Sequence, residues 1–240
     1  MRGLFVTGTD TGVGKTILSA ALVAAMSAAG EPVVAHKPVL TGLAEPPEGA
    51  WPRDHELLGE LAGMNPDEVA PLRFSAPASP HLAAALEGVE IDPGELVANA
   101  RAAGSDRDGI SPTVILEGVG GLLVPLAAGY TVRDLAVELD LTLVIAARPG
   151  LGTINHTLLT LEAARAGGLR VAAVVLNPWP AEPGALERSN LQTIQEQGGI
   201  EVLTLPPLPP GERSALVAAG EELPWRQWLE GSGGDGSPLK

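Results

Sequence analysis

Gly8-Thr9-Asp10-Thr11-Gly12-Val13-Gly14-Lys15-Thr16 puts one ammonium, one γ-hydroxyl and a run of lightly encumbered backbone amides into a short loop. The apolar run Leu4-Phe5-Val6 precedes it and a helical pattern from Ile17 to Met26 follows. Strand, glycine loop and helix in that order make a phosphate cradle. The amides and the positive end of the helix dipole face an anion, Lys15 adds charge at the β- and γ-phosphates, and the Thr16 hydroxyl is suited to Mg²⁺. The spacing departs from G-x-x-x-x-G-K-[ST]: Thr9 stands where the first glycine belongs, and Gly8 lies one residue earlier.

Three further stretches carry groups of matching chemistry. Thr113-Val114-Ile115-Leu116 reads as a buried strand that ends at Glu117-Gly118-Val119-Gly120-Gly121. An acid after such a strand is either an exposed loop residue or a Mg²⁺ ligand, and the glycines would let the backbone approach a γ-phosphate. Pro32–His36 reads as a second strand, and Pro38 forbids its regular continuation. Lys37 therefore sits at a strand end, where open α/β sheets bind ligands. Twelve of the fifteen basic residues are Arg, so Lys15 and Lys37 are the only lysines ahead of the terminal Lys240. Lys is a compact charge on a flexible stem, suited to a moving phosphoryl group. Pro149-Gly150-Leu151-Gly152-Thr153 follows the apolar run Leu141–Ala147 and opens a helix, which makes it either a second anion site or an ordinary glycine-rich turn.

These groups must be held by an alternation of strands and helices. Helices are expected at 15–29, 53–63, 81–87, 93–103, 131–139, 153–166, 185–197 and 213–230, the last interrupted near Pro224. Strands are expected at 2–7, 32–36, 113–116, 141–147, 170–176 and 201–205. This is an α/β, P-loop NTPase-like pattern: a mainly parallel sheet with helices on both faces, in one domain over 1–230. A disordered tail is expected at 231–240. Hydrophobic residues are 45% and aromatics 3% of the chain, which suits a core of Ala, Val, Leu and Ile. The net charge of −14 argues against a nucleic-acid surface. The absence of Cys removes thiol nucleophiles, disulfides and Cys-ligated metals. No signal-peptide pattern or membrane-length apolar run is visible, so a cytoplasmic protein is expected.

With the loop, Lys37 and Glu117 placed, the chain resembles the dethiobiotin synthases, the ATP-dependent cyclo-ligases of biotin synthesis. The resemblance rests on the loop 8–16, on Lys37-Pro38-Val39-Leu40-Thr41-Gly42, Ser79-Pro80-His81 and Glu117–Gly121, and on Gly152-Thr153-Ile154-Asn155-His156, all in the family's order. Gly12 replaces an acidic residue seen in some members. The resemblance implies that CO₂ adds to one amine of 7,8-diaminononanoate and that the carbamate attacks the γ-phosphate of ATP. The second amine then displaces phosphate to close a cyclic urea.

The resemblance also implies site roles. Lys37 and Lys15 would be catalytic, with Lys37 between carbamate and γ-phosphate. Thr11, Gly12, Val13, Gly14, Lys15, Thr16, Gly118, Val119 and Gly120 would surround the phosphates. Thr16, Asp54 and Glu117 would ligate Mg²⁺; Asp54 alone reads as an exposed first-turn acid. Thr41 would bind the carbamate or diamine. Gly150, Leu151, Gly152, Thr153 and Asn155 would receive the substrate's carboxylate across a homodimer interface. Asn177, with Pro178, Pro206, Pro207 and Leu208, would hold adenine, although a turn-cap role remains open for Asn177. The four histidines lack metal-ligand spacing and read as structural.

Two other readings compete. One is a P-loop ATPase switch of the partition or division-site type, which often carries an extra lysine early in the loop, where this chain has Thr9-Asp10-Thr11. The other is an amidoligase of cobalamin synthesis, which would normally bring a Cys nucleophile.

Overall fold

Strand β1 (Gly3–Gly8) is buried along its whole length, which requires neighbours on both edges and both faces. The computed structural model supplies them, and it describes residues 1–46, 50–106 and 109–230. The expected tail at 231–240 lies outside the described residues, as do 47–49 and 107–108.

After β1 come α1 (Lys15–Ala28), β2 (Val33–His36), β3 (Val39–Leu40), α2 (Asp54–Ala62), α3 (Pro66–Val69), β4 (Leu72–Arg73), α4 (Pro80–Leu86) and α5 (Pro93–Ala103). The second half holds β5 (Thr113–Gly121), β6 (Pro125–Ala127), β7 (Tyr130–Thr131), α6 (Val132–Leu139), β8 (Thr142–Ala147), α7 (Thr153–Ala166), β9 (Val171–Leu176), α8 (Ala185–Gly198), β10 (Glu201–Thr204), α9 (Arg213–Glu221) and α10 (Trp225–Glu230).

Six strands form one parallel sheet in the order β10-β9-β8-β1-β5-β2. From β1 the chain moves out to β2, returns through β5, then crosses to β8 and continues outward to β9 and β10. Winding reverses at β1, so the crevice at the carboxyl ends of β1 and β8 is the switch point where such sheets take ligands.

The period-two alternation of each strand assigns its side chains to faces. Leu4, Val6, Val144, Ala146, Ala173 and Val175 pack into one cluster with α1, α2, α9 and α10. Phe5 and Leu143 turn to the opposite face against α5 and α6, while Ile145 and Val174 pack against α7 and α8. Helix α1 lies between the sheet and α9, and its Ala20, Ala21, Ala24 and Ala25 permit that double burial. The fit is tight: a Cβ on Gly220 of α9 would stand 2.1 Å from the Ala21 carbonyl oxygen.

The structure departs from the sequence expectation in three places. Strand β5 does not stop at Leu116 but runs to Gly121, so Glu117 is a strand residue. Its glycines let the ladder with β1 resume at Gly8 and Gly121 after a register irregularity. Two small ladders, β3 with β4 and β6 with β7, are additional; their two- or three-residue strands carry no readable alternation. The stretch 65–80, where no helix or strand is expected, contains α3 and β4.

Candidate active site

The loop after β1 adopts its shape through glycines in the left-handed region. Gly14 has φ 83°, and a Cβ there would stand 2.0 Å from Asn177 Oδ1, so neither conformation nor space admits another residue. Thr9 N donates to Ala146 O at 3.0 Å, which ties the start of the loop to β8. Lys15 opens α1, and its Nζ donates to Asp10 O at 2.9 Å. Burial pushes the Lys15 ammonium down to about 8, with only partial compensation from Glu117.

Lys37 leaves the end of β2 and is almost wholly buried at 4% exposure. Its Nζ donates to Asp54 Oδ2 at 2.5 Å and to Glu117 Oε1 at 2.6 Å. Burial works against the Lys37 charge, yet the two carboxylates outweigh it and raise the ammonium above its ordinary value. Asp54 sits in the first turn of α2, where the helix dipole favours an anion. Burial pushes its carboxyl up, but the Lys37 charge dominates and holds it below the usual carboxylate value.

Thr16 Oγ1 donates to Glu117 Oε1 at 2.9 Å. Glu117 is 1% exposed, and its Oε2 has no hydrogen-bond partner among the described residues. Thr16, Glu117, Lys37 and Asp54 thus form one continuous hydrogen-bonded chain. His36, beside Lys37, is buried, and desolvation lowers its imidazole to about 4, so it adds no charge here at neutral pH.

The chain of polar groups faces a cavity of about 590 Å³. Thr11, Gly12, Gly14, Lys15, Thr16, Lys37, Thr41, Asp54, Glu117, Val119 and Gly120, all expected at the site, line it. Its other walls are mostly apolar: Leu40 belongs to the block 37–42 and Leu57 to α2, whereas Leu43, Trp51, Pro77 and Val124 lie in connecting segments and carry no sequence signal. Residues of long loops reveal their place only once the chain is folded. Ser79 and Pro80 also reach the wall, whereas His81 is exposed.

Other expected residues lie elsewhere. Gly118 faces the opposite side of β5, where a Cβ would meet Phe5 and Val132. Val13 is buried, and its carbonyl accepts from Asn177 Nδ2 at 3.2 Å. Asn177 is itself 3% exposed, so one of its amide hydrogens serves the loop backbone. Pro178, Pro206 and Pro207 are exposed and Leu208 is half-buried, outside the cavity lining. Gly150, Leu151, Gly152, Thr153 and Asn155 are also outside it; Leu151 is 92% exposed, while Asn190 Nδ2 holds the carbonyls of Pro149 and Gly150 at 2.8 and 3.1 Å. No helix among the described residues is long and apolar enough to cross a membrane.

A family described as AAA domain matches residues 2–214. The chain is 44% identical over 225 residues to the ATP-dependent dethiobiotin synthetase BioD of Anaeromyxobacter dehalogenans (strain 2CP-C), covering 93% of this chain and 97% of the relative. It is 49% identical over 179 residues to the protein of that name from Anaeromyxobacter sp. (strain Fw109-5), covering 74% and 77%. Identity to the Haloferax mediterranei protein of that name is 40% over 225 residues, covering 93% and 92%. Among solved structures, the MinC:MinD cell division protein complex of Aquifex aeolicus aligns over 100% of this chain and 98% of that one, at TM-score 0.53 and 16% identity. A ParA family ATPase from Chlorobium tepidum TLS aligns over 96% and 95%, at TM-score 0.50 and 14% identity. At such identities these two likenesses show the α/β P-loop NTPase fold alone.

Proposed function

The chain belongs to the ATP-dependent dethiobiotin synthetase family, and from that premise we propose that it carboxylates 7,8-diaminononanoate with CO₂ and closes the ring to dethiobiotin, turning ATP into ADP and phosphate. The observation that carries this reading is the single chain of Thr16, Glu117, Lys37 and Asp54 facing the P-loop cavity. Residues 1–230 would form one cyclo-ligase domain, working as a cytoplasmic homodimer.

The loop amides and Lys15 bind the β- and γ-phosphates, Lys15 exchanging the Asp10 carbonyl for a phosphate oxygen. The residues present fit Mg²⁺: Glu117 keeps a buried oxygen without a partner, and Thr16 and Asp54 add hard oxygen donors. Thr16, Asp54 and Glu117 would hold the ion, which when bound neutralises phosphate charge. Lys37 then trades its two carboxylates for oxygens of the carbamate and the γ-phosphate, stabilising charge that develops between them. The carbamate oxygen attacks the γ-phosphorus, the bond to the bridging oxygen breaks and ADP leaves. The second amine next attacks the carbonyl carbon of the mixed anhydride, and phosphate leaves.

Such chemistry depends on alignment and charge neutralisation more than on covalent help from the protein. Thr41 would orient the carbamate or diamine, and the apolar wall would take the alkyl chain. The Gly150–Thr153 segment, exposed at Leu151 and Gly152, and the exposed Asn155 would receive the carboxylate of a diamine bound mainly by the partner. That segment's position outside the cavity supports a site completed by a second copy. Asn177, Pro178 and Pro206–Leu208 would hold adenine.

Incubation with diaminononanoate, bicarbonate, Mg²⁺ and ATP should yield a cyclic urea detectable by mass, with ADP formed in step. Equal ATP turnover in a diamine-free control would point instead to a switch ATPase and overturn the reading.

A further inference from the structure

Every main-chain carbonyl from Asp10 to Gly14 has a donor. Asp10 O accepts from Lys15 Nζ, Gly14 O from Leu18 N at 3.1 Å, and Val13 O from Asn177 Nδ2. The two between them are served by Arg148. Its Nε and Nη2 donate to Gly12 O at 3.2 and 3.1 Å, and Nη2 also reaches Thr11 O at 3.5 Å. Neither the sequence pattern nor the proposed chemistry uses this residue.

A loop that turns its N–H groups toward an anion must turn its carbonyls away from it. A peptide that flipped at 11 or 12 would aim a carbonyl oxygen at the phosphates. A planar guanidinium spanning two successive carbonyls opposes that flip, and its charge adds to the field at the loop. Arg148 is placed for this by the fold. It directly follows β8, at the switch point beside β1, and Pro149 restricts its backbone to extended conformations. Position 12 leaves it room: a Cβ on Gly12 would stand 2.9 Å from Arg148 Nη2.

We propose that Arg148 is a positioning residue that clasps the phosphate-binding loop from outside and sets its affinity for the nucleotide. This deepens the ATP-binding reading of the loop and does not depend on which acceptor the ATP serves. Arg148 is exposed, so its replacement leaves the core intact.

Arg148→Met keeps the aliphatic stem and removes the donors, while Arg148→Lys keeps the charge. MgADP titrated by calorimetry without diamine should bind Arg148→Met about tenfold more weakly, as for loss of a charge-assisted hydrogen bond. The KM for ATP should rise by a similar factor, with kcat and the KM for diamine nearly unchanged, and Arg148→Lys should recover part of the loss. An unchanged MgADP affinity in Arg148→Met overturns the proposal. So does a rise in the diamine KM alone, which would assign the residue to the neighbouring Gly150–Thr153 segment. A wild-type protein that makes no cyclic urea, but whose MgADP binding still weakens in Arg148→Met, would sink the enzyme reading and support the arginine's role.

Discussion

Lys15 and Lys37 face one cavity, and their surroundings push them in opposite directions. Lys15 has given up water for a backbone carbonyl and lies near 8, whereas Lys37 is held charged by Asp54 and Glu117. A bound polyphosphate favours the charged form of Lys15 and raises its pKa. Nucleotide affinity is therefore complete below about pH 8 and should fall as pH rises above it, by about tenfold per unit. Calorimetric MgADP titrations across pH 7–10 would read this; a flat profile would mean Lys15 stays charged in the empty site. For Lys37→Ala, nucleotide binding should persist while turnover drops by about 10²-fold or more, the scale of a lost transition-state contact. The same substitution leaves Asp54 and Glu117 without their ammonium. Mn²⁺ followed by electron paramagnetic resonance should then bind the nucleotide-free variant at least about tenfold more tightly than wild type. Unchanged Mn²⁺ affinity would remove those two acids from the metal site.

At the scale of elements, the site depends on how closely helices reach the sheet. Helix α1 must stay against β1 for Lys15 and Thr16 to stand at the crevice, and α9 presses it there through the contact at Gly220. Gly220→Ala should destabilise the fold by about 1–3 kcal/mol through overpacking, read as a lower denaturant midpoint with an unchanged slope. Helix α2 matters for another reason. Glu56 accepts from Arg53 N at 3.1 Å and fixes the helix start, which sets where Asp54 projects. Strand β5 carries Glu117 as part of its paired ladder with β1, so the acid is held more rigidly than a loop residue would be.

For the whole molecule, the residues of the proposed site fall on two surfaces. Lys37 lines the cavity, whereas Asn155 lies outside it on exposed surface. If a second copy completes the site, Lys37→Ala and Asn155→Ala would each lose activity alone, and mixing them after dissociation would create hybrids with one intact site. The mixture should regain up to about a quarter of wild-type turnover, the statistical share for a two-fold dimer. Activity no higher than the sum of the two variants would place both residues within one subunit's site.

Read by itself, the chain declared its phosphate loop, its two lysines, the acid at 117 and the α/β order of its elements. Such features are local: a glycine pattern, a residue type at a strand end and a hydrophobic period survive in one dimension. Asp54 was different. It looks like any first-turn acid, and it joins Glu117 only because β2 and β5 pair and α2 packs against β2. The apolar walls from Leu43, Trp51 and Val124, the extension of β5 through its glycines and the Arg148 clasp were likewise decided by tertiary structure. Each depends on contacts between segments distant in sequence, for which no local spacing leaves a trace.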